Sequence, residues 1–176
     1  MIMRQWEPSL FFRGCRLLLR FQILLGIVIF CYNHFYLNYG GMEILLWVGW
    51  VVGLAGLIFF VLGLFELKKE GSAAEGESFL LTTTLVDSGV YAVVRHPEYL
   101  GSLLLVVGSV LILQHWLTLG LGLPLLVWFF VYVLPEEEKG LIEKFGDHYK
   151  RYRQNVPSIN FLIGIIRLQK RRKRKG

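Results

Sequence analysis

The stretch Gly89–Gly101, GVYAVVRHPEYLG, sets an arginine, a histidine, a glutamate and two tyrosines directly against SLLLVVGSVLIL, a run without a charge. A second polar cluster, Pro135-Glu136-Glu137-Glu138, follows another apolar run. Polar groups at the mouth of an apolar segment are costly unless paired, and such groups usually bind something. No Ser–His–Asp arrangement is apparent, and Cys15 and Cys31 lack metal-ligand spacing, so no metal is expected and no catalytic group is assigned. Taken singly, Arg95 can snorkel, His96 can cap a helix and the glutamates can balance basic residues elsewhere. What favours a site is the recurrence of both clusters at one depth.

The elements that must position these residues are apolar. The 176 residues are 55% hydrophobic and only 18% charged, below the usual quarter for soluble domains. Four segments are candidate spans: Leu17–Tyr36, Ile44–Phe65, Tyr99–Leu113 and Trp116–Leu134. A span needs ~20 mostly apolar residues. The second and fourth satisfy this, the first requires Arg20 to snorkel, and the third is short enough to borrow from the RHP segment. Pro97 drives His96 out of the helical region and can open the next helix as its first residue.

Every Lys and Arg lies at or before the start of the first segment, between the second and third, or after the fourth. The two remaining loops contain none, so the positive-inside rule gives four spans with both termini cytoplasmic. Both polar clusters then face the cytoplasm. The basic tail RLQKRRKRKG is read as lying on anionic lipid rather than nucleic acid. The preceding FLIGIIR is expected to be an amphipathic helix in the interface.

Gly49, Gly53 and Gly56 have the small-residue spacing that lets helices approach closely. Tyr32, His34, Tyr36 and Tyr39 read as an interfacial aromatic belt. In the long loop after the second span, FLLTTTLV is open to an extended conformation and Asp87-Ser88-Gly89 to a turn. After Leu134, Pro135 suits the first turn of a new helix and the glutamates its N-terminus. Glu138, Ile142, Phe145, Tyr149 and Tyr152 recur on one helical face, with Gly140 and Gly146 as weak points.

The segments TTLVDSGVYAVVRHPEYLG and PEEEKGLIEKFGDHYKRYRQNVP, in that order, closely resemble the isoprenylcysteine carboxyl methyltransferase family, which belongs with the phospholipid methyltransferases. The similarity covers about residues 83–157 and is specific because both halves recur at the right separation. It implies a small integral-membrane enzyme using S-adenosylmethionine (SAM). Carried over residue by residue, it assigns cofactor contacts to Thr83, Thr84, Leu85, Val86, Tyr91, His96, Pro97, Glu98, Tyr99 and Glu137. Arg95, Glu138, Tyr149 and Tyr152 fall where a lipophilic acceptor would enter. Two positions depart from the pattern: Val133 stands where prenylcysteine methyltransferases carry an arginine, and Phe161 where a proline is usual.

The expected fold is an all-α integral-membrane bundle of four transmembrane helices with a cytoplasmic cofactor-binding cap. Residues 1–65 form the first two membrane helices, 66–160 the methyltransferase core and 161–176 a basic tail. The expected function is methyl transfer from SAM to a lipophilic or membrane-delivered acceptor, foremost an isoprenylcysteine-type carboxylate. A phospholipid amine or a small thiol stays open. An NADPH-dependent membrane reductase and a non-catalytic membrane scaffold remain as readings of other classes.

Overall fold

The computed structural model describes Ile27 and residues 42–71 and 83–174. The expected first span, its aromatic belt, both cysteines and the first part of the long loop lie outside these residues, Ile27 apart. The described residues are helical, with no strand among them. The elements are α1 (Glu43–Glu70), a 3₁₀ turn (Gly89–Ala92), α2 (Pro97–Leu113) and α3 (Trp116–Trp128), then a π-helical segment (Phe129–Val133), α4 (Leu134–Phe145), α5 (Asp147–Asn155) and α6 (Phe161–Lys173). Glu43–Glu70 and the continuous Thr118–Phe145 are long and apolar enough to cross a membrane; α2 is apolar but shorter.

α1 and α2 form the central antiparallel pair. Gly49, Gly56 and Gly63 recur every seven residues along α1 and are buried. A Cβ on Gly56 would lie 2.8 Å from the Gly101 carbonyl, one on Gly101 2.6 Å from Phe60 N, and one on Gly108 2.8 Å from Gly53 Cα. Backbone therefore meets backbone, the arrangement expected of small residues packing in lipid. At the far end, α2 stops at Gln114 in a left-handed conformation (φ 44°, ψ 38°). The Gln114 side chain then accepts from Met42 N–H at 2.9 Å and donates to the Met42 carbonyl at 3.0 Å. One residue thus ends α2 and caps α1.

At the other end, the loop that leaves α1 returns to it. Thr83 N–H donates to the Gly71 carbonyl at 3.0 Å, and the Thr84 hydroxyl to the Glu70 carbonyl at 2.9 Å. These bonds satisfy carbonyls that a helix end leaves open. From Leu85 to Asp87 the chain carries no regular structure before the turn at Gly89 (φ 53°).

The fourth apolar segment does not stop at Pro135. Thr118–Phe145 is one helix, and the π-helical segment lies immediately before the proline. Leu134 N–H bonds back to the Phe129 carbonyl, five residues earlier. Pro135, which has no N–H to give, falls where the hydrogen-bond register returns to α, and the widened turn absorbs it. The expected new helix at residue 135 is thus the polar continuation of the apolar one.

The break comes later, at Gly146 (φ 57°, ψ −133°), a conformation that suits glycine. The helical face expected from Glu138 to Tyr152 is accordingly divided between two helices, α4 and α5. The turn between them carries Tyr149 and Tyr152 into a core with Val156, against Leu85, Leu141, Ile142 and Phe145.

Candidate functional site

Local backbone chemistry sets the RHP corner. Pro97 holds the first turn of α2, and His96 sits outside the helix at φ −130°, ψ 71°. A second segment fixes the corner from behind. Arg95 N–H donates to the Pro157 carbonyl at 3.0 Å and His96 N–H to the Ser158 carbonyl at 3.1 Å. The two polar halves of the sequence are thereby joined main chain to main chain.

Side chains join them again. Arg95 Nη2 lies 2.8 Å from Glu138 Oε1, both groups largely buried. His96 Nε2 is 3.6 Å from the same oxygen, and Arg153 Nε is 3.4 Å from Glu138 Oε2. Glu138 is therefore already occupied by protein cations. Glu137 turns to the other side, where His96, Glu98 and Glu137 bring their ligand atoms within 4.8 Å of one another. The Tyr99 side chain interacts with Glu137. Tyr99 also stacks on the His96 ring (5.2 Å, 8° between planes) and meets Phe129 edge-on at 4.7 Å. Phe129 opens the π-helical segment, so that segment holds the aromatic wall of the site.

The 3₁₀ turn supplies the third side. Tyr91 donates its hydroxyl to Glu98 Oε2 at 3.0 Å, with the Gly63 carbonyl 3.4 Å away. Its own carbonyl accepts from the Tyr152 hydroxyl at 2.6 Å. Burial and the nearby Glu98 carboxylate push the Tyr91 phenol well above its ordinary pKa, so it stays a donor at neutral pH. Burial raises Tyr149 and Tyr152 likewise. For His96, burial alone favours the neutral ring. Glu138 beside it and the charges of Glu137 and Glu98 outweigh burial, and its pKa lies above 6.5.

Several buried polar atoms here have no hydrogen-bond partner: Arg95 Nε and Nη1, Glu137 Oε2, Tyr149 OH and Ser158 Oγ. Buried polar groups are normally paired, so these atoms are available to hold the polar groups of a ligand. The carboxylates of Glu98 and Glu137 suit a cationic group, and the spare Arg95 donors an anionic one.

The sequence-derived candidates divide accordingly. Tyr91, His96, Pro97, Glu98, Tyr99 and Glu137 converge. Thr83 and Thr84 are exposed and close the end of α1, Leu85 joins the Tyr149–Tyr152–Val156 core, and Val86 is buried. Arg95 and Glu138 pair with each other, Tyr152 holds the Tyr91 turn, and Tyr149 is almost wholly buried. Sequence reading missed Arg153, Phe129, the Gly63 carbonyl and the Pro157–Ser158 carbonyls. Only the last had a signal, in the VPS that ends the second polar segment.

A family model described as "Phospholipid methyltransferase" matches residues 44–148. Among curated proteins, the chain is 34% identical over 113 residues to a protein-S-isoprenylcysteine O-methyltransferase of Schizosaccharomyces pombe, covering 59% of this chain and 47% of that one. It is 34% identical to protein-S-isoprenylcysteine O-methyltransferase B of Arabidopsis thaliana, covering 62% and 59%. The Homo sapiens protein-S-isoprenylcysteine O-methyltransferase is 41% identical over 86 residues, covering 48% and 30%. The matched region is thus less than two thirds of each relative. No solved structure gives a significant match.

Proposed function

The chain belongs to the phospholipid methyltransferase family, and on that premise we propose that it is an integral-membrane methyltransferase using SAM on a lipophilic acceptor. The observation that carries this reading is the buried cluster of His96, Glu98 and Glu137, with Glu137 Oε2 unpaired inside it. SAM supplies an electrophilic methyl group on a cationic sulfur, together with an ammonium and a carboxylate. Glu137 and Glu98 hold the cationic portion, and Tyr91 and Tyr99 orient those carboxylates. The free Arg95 donors receive a carboxylate, while Glu138 keeps the guanidinium in place.

No protein nucleophile is needed. Methyl transfer is an in-line displacement on a carbon already activated by its sulfonium, and a carboxylate or thiolate acceptor is already nucleophilic. The chain's contribution is alignment and exclusion of water, by the Tyr99–Phe129 wall and the Tyr149–Tyr152–Val156 core. The likeness to protein-S-isoprenylcysteine O-methyltransferases favours an isoprenylcysteine-type carboxylate as acceptor. Four spans, cytoplasmic termini, a cytoplasmic cap made of residues 66–98 and 135–157 and a basic tail on anionic lipid complete the proposal, supported by the placement of every Lys and Arg.

Isothermal titration of the purified full chain with SAM, and separately with NADPH, tests the reading. Saturable binding of SAM, weakened at least tenfold by Glu137→Gln without a change in melting temperature, is expected. Binding of NADPH alone would make it a reductase, and binding of neither by a folded protein would make it a scaffold.

A further inference from the structure

α6 differs from the flat interfacial helix that its sequence suggests, because its character changes along the axis rather than around it. Leu162, Ile163 and Ile166 are exposed in its first half, and Leu162 is 72% exposed. Lys170, Arg172 and Lys173 are exposed in its last turn. A helix lying in the interface separates apolar and charged residues by face. One segregated end to end suits an oblique entry, apolar end down.

The contacts of α6 agree with that entry. Asn160 caps the helix, accepting from Ile163 N–H at 3.1 Å. Phe161 meets Phe59 of α1 edge-on at 5.0 Å. Phe59 lies seven residues before Glu66, the first charge of α1 after Glu43, which is ~10 Å along a helix. The start of α6 is therefore beside the uncharged part of α1, and its basic end lies beyond it.

α6 also grips the turn that carries Tyr91. Gly164 is packed so tightly on Val93 that a Cβ would strike the Val93 carbonyl. Arg171 Nη2 donates to the Ala92 carbonyl at 2.7 Å, and Arg171 Nε is buried without a hydrogen-bond partner. Two positions two turns apart on α6 thus converge on two successive peptide units, those of the Ala92 and Val93 carbonyls. The first of them adjoins Tyr91, whose hydroxyl holds Glu98.

We propose that α6 is an oblique membrane wedge that docks on an anionic lipid surface through Lys170, Arg172 and Lys173, and that docking tightens its clamp on these two peptide units. The occupant follows from charge and depth together: exposed aliphatic side chains on the part of the helix beside the apolar span, and exposed cations on the part beyond it. Anionic headgroups attract such cations within about a Debye length. The inference rests on the membrane reading above and is independent of the cofactor.

Hydrogen–deuterium exchange of the full chain tests it, in nanodiscs of phosphatidylcholine alone and with phosphatidylglycerol added. Anionic lipid is expected to slow exchange at the Val93 and Val94 amides about tenfold; both bond to the Val90 carbonyl. The Lys170→Gln/Arg172→Gln/Lys173→Gln variant should exchange alike in both discs. Arg171→Gln should free the turn while leaving α6 itself protected. Equal exchange of the unmodified chain in both discs would overturn the proposal, as would a lipid effect that survives the triple variant or turn protection unchanged by Arg171→Gln. Equal protection by heparin in neutral discs would replace the lipid surface with a soluble polyanion. None of these readouts requires SAM or methyl transfer.

Discussion

Arg95 and Glu138 meet at 2.8 Å with their side chains only 8% and 12% exposed. This pair joins the start of α2 to the polar end of the long helix, and so ties together the two polar clusters of the sequence. Glu138→Ala would leave a guanidinium buried without its counter-ion, a change that costs about 3–5 kcal/mol. The expected result is a large fall in melting temperature, with a smaller fall for Glu138→Gln. A stable Glu138→Ala protein with only a raised KM for the acceptor would instead place Glu138 on the substrate.

Tyr152 acts through another residue. Its hydroxyl donates to the Tyr91 carbonyl at 2.6 Å, and both residues are buried. Tyr152→Phe leaves that carbonyl unsatisfied, at about 1–3 kcal/mol. Because Tyr91 in turn orients Glu98, the variant should also weaken SAM binding measurably. Tyr91→Phe should reproduce the binding loss, since it removes the bond to Glu98 directly. A Tyr152→Phe protein that is destabilised yet binds SAM normally would show that the turn does not transmit to the site.

His96 gives the site a pH dependence with a definite sign. Its folded pKa lies above the unfolded value of about 6.5 because Glu138, Glu137 and Glu98 favour the charged ring more than burial disfavours it. Arg95, which opposes that charge, is itself paired with Glu138. The stabilisation is complete below about pH 6.5 and is lost as pH rises through the higher folded pKa. The difference in melting temperature between the unmodified protein and His96→Asn should therefore be largest near pH 6 and narrow in alkali. A difference that stays constant from pH 6 to about pH 9 would mean that His96 binds its proton equally in the folded and unfolded states.

What the sequence made legible was whatever one residue decides locally. Pro97 excludes a helical His96 by sterics alone, and the corner is found as expected. Gly49 and Gly56 announced close packing and show it. Pro135 does stand in the first turn of α4, but its local meaning did not show that α4 continues the apolar helix. Its actual setting depends on a π-helical turn whose Phe129 packs on Tyr99, a tertiary contact without a sequence signature. The spacing from Glu138 to Tyr152 did find one packed face, but not the turn at Gly146 that presents it.

The site was legible as composition and not as pairing. His96, Glu98, Tyr99 and Glu137 were all candidates, and they converge. Which of two adjacent glutamates is spent on Arg95 depends on how a long helix is rotated, and a widened turn resets that rotation. The Arg171–Ala92 bond lay further out of reach, since a flexible side chain selects it from among the many cations of the tail.

The close approach of α1 and α2 offers a test with an internal control. A Cβ on Gly101 would lie 2.6 Å from Phe60 N and 2.7 Å from the Gly56 carbonyl, main-chain atoms that cannot rotate aside. Gly101→Ala must therefore separate the helices, and overpacking of this kind costs about 1–3 kcal/mol or more. Because α2 begins at Pro97, the shift would also carry His96 and Glu98 away from Tyr91. Gly53 lies on the same helix pair, yet a Cβ there meets nothing within 4 Å. Gly53→Ala should be neutral, or stabilising by up to about 1 kcal/mol through helix propensity. Unfolding midpoints in mixed detergent micelles would compare the two. A large loss for Gly101→Ala beside no loss for Gly53→Ala is expected, and equal effects would show that the contact between α1 and α2 is looser than these distances require.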